Sequence, residues 1–129
     1  MKLITMQNNS KIRNSKDCVI LARVSEKNTN KTAAIKAQLE ICRKYAQKHD
    51  YNVTDMFCFA STNQNLLTHM LDYFKANENI STLIVPQLDR LSRKNETLID
   101  AINKLSKMGI IVYEATNNNM YYFTCYDRI

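Results

Sequence analysis

The sequence predicts an α/β domain of three layers, with a mostly parallel sheet of four to five strands flanked by helices. Three observations carry this reading. Apolar runs and helically periodic segments alternate as strand, helix, strand, helix, strand, helix, strand, the order that builds right-handed crossovers. Two of the runs, Cys18-Val19-Ile20-Leu21-Ala22 and Thr82-Leu83-Ile84-Val85, are continuous rather than alternating, as strands buried on both faces are. The 129 residues, 45% of them hydrophobic, suffice for one domain with a real core and not comfortably for two.

Met1 to Lys16 is rich in Asn, Ser and Lys and reads as a flexible leader ahead of a single domain over residues 17–129. Asp17 to Val24 is the first strand. Glu26 to Thr32 is a polar loop, and Thr32 has the side chain of an N-cap. From Ala33 to Lys48, Ile35, Leu39, Cys42, Tyr45, Ala46 and His49 recur at three- and four-residue steps and draw one apolar stripe. Gln38 lies one residue off that stripe, near the helix start. Tyr51 to Phe59 alternates roughly and is rich in aromatic and β-branched residues, so it reads as a strand. After a polar loop, Leu67, Met70, Leu71 and Phe74 mark a short helix over Leu66 to Ala76. Ile80 to Val85 is a central strand, ended by Pro86. Leu91, Asn95, Leu98, Ile102 and Leu105 predict a third helix from about Arg90 to Met108, with Gly109 at its C′ position. Ile110 to Tyr113 is a fourth strand and Asn117 to Asn119 a turn. Met120 to Ile129 is aromatic and fits either strand or helix.

Composition limits the chemistry. Lys and Arg number 18 against 12 Asp and Glu, a net charge of +6. That balance suits a polyanionic partner such as nucleic acid, and serves equally for solubility. One Gly and one Pro rule out a Gly-rich phosphate loop of Walker or Rossmann type, so any phosphate must be held by side chains. No apolar run approaches the ~20 residues that span a bilayer, and the first sixteen residues have no apolar segment of a signal peptide. A cytoplasmic location follows as the default. Cys18, Cys42, Cys58 and Cys125 form no C-x-x-C pair and have no His at zinc-ligand spacing. They read as buried, reduced thiols. His49 and His69 are isolated, and no metal site is expected.

Two polar clusters stand where strands end. Arg23 and Ser25 are two apart, so they share a face as the first strand runs out. The carboxyl edge is where open α/β sheets place their chemistry. A guanidinium there can hold a phosphate while the hydroxyl attacks it. The plain alternative makes Arg23 an ion-pair partner and Ser25 a cap. Asp89, Arg90 and Arg93 follow the third strand. On a helix, Arg90 and Arg93 share a face, and in its first turn two cations oppose the helix dipole. A bound anion would reverse that cost. Here the alternative is an N-cap, Asp89, followed by solvated arginines. Two Arg-bearing clusters, both at strand ends, favour one shared phosphate site.

Ala22-Arg23-Val24-Ser25, Ala34-Ile35-Lys36-Ala37-Gln38-Leu39 and Leu88-Asp89-Arg90-Leu91-Ser92-Arg93 together resemble the catalytic domain of the serine recombinases: resolvases, invertases and large serine integrases. The resemblance covers roughly Asp17 to Ala115. It implies a resolvase-like catalytic domain whose nucleophile, Ser25, attacks a DNA backbone phosphate to form a 5′-phosphoserine link and a free 3′-hydroxyl. Arg23, Arg90 and Arg93 would surround and bind the phosphate, and Asp89 and Gln38 would position them. It implies no cofactor, metal or nucleotide. The implied partners are double-stranded DNA at a specific recombination site and a second copy of the chain, with two dimers forming a tetramer in the synapse. Active members continue into a long helix and a DNA-binding domain, which this chain is expected to lack. The family pattern also carries an Asp, a Gly-rich segment and a further Arg after the second strand. Here Phe57 to Leu66 holds none of these, and Asn65 stands about where the Arg is expected.

Three readings compete. The first is a recombinase catalytic domain that cleaves and rejoins DNA. The second is a degenerate, non-catalytic module of the same fold, used for dimerisation or for binding a recombinase or DNA. The third, a flavodoxin-like domain for a small anionic ligand, ranks last because it needs a phosphate loop.

Overall fold

A computed structural model of the chain describes residues 13–24, 29–60, 66–92 and 94–122. Strands β1 (Asp17–Val24), β2 (Asn52–Ala60), β3 (Ile80–Val85), β4 (Ile111–Glu114) and β5 (Asn119–Tyr121) alternate with helices α1 (Lys31–Lys48), α2 (Leu66–Ala76) and α3 (Asn95–Lys107) up to β4. The sheet order is β2-β1-β3-β4-β5. The first four strands are parallel and β5 runs antiparallel to β4. The chain moves from β1 outward to β2, then crosses back to β3, so the winding reverses between β1 and β3. Right-handed crossovers then put α1 on one face and α2 and α3 on the other.

The core divides accordingly. Val19 and Leu21 of β1 and Leu83 and Val85 of β3 pack with Met70 and Phe74 of α2 and Ile102 and Leu105 of α3. On the opposite face Cys18, Ile20 and Ile84 meet Cys42, Tyr45 and Ala46 of α1. Alternate residues of the two central strands thus serve both layers, which is why these strands read as unbroken apolar runs. The three-layer α/β architecture predicted from sequence is the one observed.

Several boundaries differ. Helix α1 starts at Lys31, and its N-cap is Asn30, whose Oδ1 accepts from Ala33 N at 3.3 Å. Thr32 therefore lies inside the first turn. The rough alternation of the second strand comes from one extra residue. Cys18 faces Val53 while Val19 faces Asp55, and Thr54 between them donates through Oγ1 to Cys18 O at 3.1 Å. Because β2 is the sheet edge, Cys58 is exposed, whereas Cys18 and Cys42 are buried as expected. Cys125 lies outside the described residues. Gly109, at φ 86°, closes α3 as predicted, with Ile110 N donating to Leu105 O at 3.0 Å and Gly109 N to Ser106 O at 2.9 Å.

The segment before β1 is tied to the fold from Arg13 onward, nearer the N-terminus than the leader expected over residues 1–16. Arg13 N donates to Gly109 O at 3.0 Å. Its guanidinium donates to Phe74 O, Asn77 O and Ile80 O at 3.0, 3.1 and 2.9 Å. These carbonyls lie where α2 ends and β3 begins, and a planar cation with fixed donors satisfies them together.

Candidate active site

The reversal between β1 and β3 opens a crevice at the carboxyl ends of these strands, the place where doubly wound sheets bind ligands. Arg23 lies near the end of β1. β1 pairs with β3 through Ile20 and Ile84, and β3 ends at Val85. On the side facing β3, the backbone near Arg23 has therefore outrun its strand neighbour. Gln38 takes the neighbour's place. Its Oε1 accepts from Arg23 N at 2.9 Å and its Nε2 donates to Arg23 O at 3.0 Å. The Gln38 side chain is buried, at 7% exposure, where an unpaired amide would cost a few kcal/mol. The sequence placed Gln38 one residue off the apolar stripe; in the fold it holds the Arg23 backbone.

Beyond β3 the chain runs through Pro86 and an extended Gln87 into a 3₁₀ turn, Leu88–Arg90. The third helix does not begin at Arg90. Arg90 N bonds Gln87 O, and Leu91 N and Ser92 N both turn back to Leu88 O, which closes a tight turn. Lys94 N then donates to Ser92 Oγ at 3.2 Å, and α3 starts only at Asn95. Leu91 is buried and matches helical spacing, but it reaches the core from the 3₁₀ turn. Arg90 therefore does not sit in the first turn of a long helix, and the dipole cost expected there does not arise.

Two segments exchange contacts across the crevice. Arg23 Nη2 donates to Asp89 O at 2.7 Å. Arg90 Nη1 donates back to Arg23 O at 3.3 Å. Each arginine thus grips the backbone that carries the other, and two cations are held near one another at the sheet edge. Asp89 lies 3.7 Å from Arg90 Nε, with half of its side chain exposed, so the pair offsets little of the repulsion. Arg90 Nε is covered and has no hydrogen-bond acceptor among the described residues. A covered donor on one of two cations held together suits an anion with several oxygens.

Of the residues picked out from sequence, Arg23, Gln38, Asp89 and Arg90 come together. Ser25 and Arg93 lie outside the described residues, as does Asn65. One residue escaped the sequence reading. Glu114, at the end of β4, is buried at 7% exposure and accepts at Oε2 from Leu88 N, the first residue of the 3₁₀ turn, at 2.9 Å. The only signal for it was a carboxylate closing an apolar run. Among the described residues no group of three or more His, Cys, Asp or Glu gathers for a metal, and no helix is long and apolar enough to cross a membrane.

Comparison with known proteins gives a family match for the chain and several structures of like fold. The family described as "Resolvase, N terminal domain" matches residues 18–128. No curated protein matches the sequence. Among solved structures, the chain is similar to the C-terminal catalytic domain of ISC1926 TnpA, an IS607-like serine recombinase. The TM-score is 0.66 at 20% identity, over 76% of this chain and 68% of that one. It is similar to the N-terminal catalytic domain of TP901-1 integrase, with a TM-score of 0.65 at 23% identity over 81% of each chain. A resolvase family site-specific recombinase from Streptococcus pneumoniae gives a TM-score of 0.71 at 15% identity, over 81% of this chain and 74% of that one. At these identities the structural likeness speaks for the fold alone.

Proposed function

The chain belongs to the family of resolvase N-terminal domains, whose fold it shares with serine recombinase catalytic domains, and we propose on that premise that it cleaves and rejoins DNA at a specific site. The observation that carries the proposal is the mutual grip of Arg23 and Arg90 across the β1/β3 crevice. Ser25 follows the last residue of β1 by one position. In this reading its Oγ attacks a backbone phosphorus. A Ser–O–P bond forms, the P–O3′ bond breaks, the serine proton is lost and the departing 3′-oxygen gains one. Charge on the non-bridging oxygens rises in the transition state, and Arg23, Arg90 and Arg93 stabilise it. Gln38 and Asp89 keep the arginines in place. The 5′-phosphoserine link preserves the phosphoester energy, so a 3′-hydroxyl can reverse the step on a new strand without nucleotide or metal. Double-stranded DNA is the substrate, a second copy and then a tetramer are the working assembly, and the cytoplasm is the setting.

Asn65 favours a second reading, a non-catalytic module of the same fold. A neutral amide supplies neither the charge nor the forked donors of an arginine, and loss of one such contact commonly costs ~10²–10³ in rate. Both readings are tested by trapping. The protein is incubated with double-stranded DNA bearing its candidate recombination sites while religation is stalled, and adducts are resolved on a denaturing gel. The expected result is an adduct that Ser25→Ala abolishes and that Asn65→Arg makes ~10²–10³ faster. A folded protein that forms no adduct, with or without Asn65→Arg, would sink the catalytic reading and leave the module.

A further inference from the structure

We infer that Glu114 is a positioning residue for this site, holding the turn of Asp89 and Arg90 in register with the β4–β5 hairpin; the inference rests on the reading of Arg23 and Arg90 as the phosphate-binding pair. Glu114 takes part in two sets of contacts at once. Oε2 accepts from Leu88 N at 2.9 Å. Oε1 accepts from Asn117 Nδ2 at 3.1 Å, and from Asn119 Nδ2 and Tyr121 Oη, each at 3.4 Å. All four partners are neutral donors, and no ion pair of Glu114 occurs among the described residues. Burying a carboxylate without a cation is a costly way to fill space. A site that breaks a packing preference while satisfying every contact points to a role other than stability.

The geometry says what that role is. Residues 85–88 meet residues 114–116 through three hydrogen bonds. Ala115 N donates to Val85 O at 2.8 Å and Thr116 N to Pro86 O at 3.1 Å. Those two are main-chain bonds and survive any side chain at position 114. The third, to Leu88 N, depends on Glu114 alone. Gln87 makes no side-chain cap, so the Leu88 N–H that opens the turn has no local acceptor and donates to Glu114 instead. From Leu88 the turn leads directly to Asp89 O, which holds Arg23, and to Arg90, which holds Arg23 O. Removing the carboxylate frees the first residue of the turn and, through it, both arginines. The hairpin donors Asn117, Asn119 and Tyr121 fix the carboxylate from the other side, so hairpin position is transmitted to the crevice.

The test reads the arginines themselves. In the full chain, the Nε–Hε cross-peaks of Arg23, Arg90 and Arg13 are assigned by ¹H–¹⁵N NMR in wild type, E114A, E114Q and, as a control at the far edge of the sheet, D55N. The expected result is that E114A and E114Q displace or broaden the Arg23 and Arg90 peaks while Arg13 stays put, and that D55N displaces none. E114Q is near-isosteric and carries the test if E114A does not fold, because its single acceptor oxygen cannot serve both Leu88 N and the hairpin donors of Asn117, Asn119 and Tyr121. Unmoved Arg23 and Arg90 peaks in a folded Glu114 variant would overturn the inference. In the trapping assay the same variants should slow adduct formation on the order of 10-fold or more, and by more than they weaken DNA binding; an equal loss of affinity and rate would overturn it too. A wild type that forms no adduct counts against the proposed function alone, since the arginine peaks still decide the role of Glu114.

Discussion

Side chains that hydrogen-bond to backbone across the fold set the geometry of the crevice. Gln38 replaces a strand neighbour at Arg23, satisfying both the N–H and the C=O that β3 leaves open. An amide suits this task because it presents one donor and one acceptor side by side. Gln38→Ala would take the acceptor from Arg23 N and leave Arg23 O to Arg90 Nη1, and should lower stability by about 1–3 kcal/mol, read as a drop in the urea midpoint at unchanged slope. Gln38→Glu keeps the acceptor and sets a carboxylate oxygen against Arg23 O, so it should cost at least as much. A Gln38→Ala protein as stable as wild type would show that water satisfies Arg23 equally well.

At the scale of elements, the ends of helices and strands are where the molecule is stapled. Arg13 spans the end of α2 and the start of β3 with one guanidinium, and burial lowers its pKa more than the neighbouring Glu78 raises it. The cost of that desolvation is offset by three hydrogen bonds from a charged donor, each stronger than a neutral one. Arg13→Ala should destabilise the protein by roughly 1–3 kcal/mol. It should also speed amide exchange at the α2–β3 junction more than in α1. Uniform acceleration across the chain would instead mean that Arg13 contributes only to global stability. The break between the 3₁₀ turn and α3 has the same character: Ser92 and Lys94 close a bend that helical periodicity reads straight through.

The whole molecule is organised by one sheet with two unlike faces. The α1 face is small and carries Cys18 and Cys42, both wholly buried. Burial pushes both thiols up to about 12, with Asp17 adding to the rise at Cys18 and Cys18 to that at Cys42. In the unfolded chain a thiol ionises near 9. Below that pH both states keep the proton and stability does not depend on these groups. Above it only the unfolded state loses protons, so stability should fall as pH climbs from about 9 toward 12. Urea midpoints at rising pH measure this, and a flat profile above the unfolded thiol range would contradict it. Alkylation under native, mildly alkaline conditions should mark Cys58 on the exposed edge strand and spare Cys18 and Cys42, as peptide mass spectrometry would report.

The sequence by itself determined the number, type and order of elements up to β4, the burial of the two central strands, and the two arginine clusters at strand ends. Each is written in local spacing, because apolar residues two, three or four apart reveal which face an element buries. Strand order, the tight turn at Arg90, the anchoring of Arg13 and the placement of Gln38 and Glu114 were decided only by the tertiary structure. Gln38 meets Arg23 across 15 positions, Leu88 meets Glu114 across 26 and Arg90 meets Arg23 across 67. A polar side chain carries no mark of which distant backbone group it will satisfy. Its partner is chosen when the packed layers leave one donor or acceptor unpaired and bring that side chain within reach.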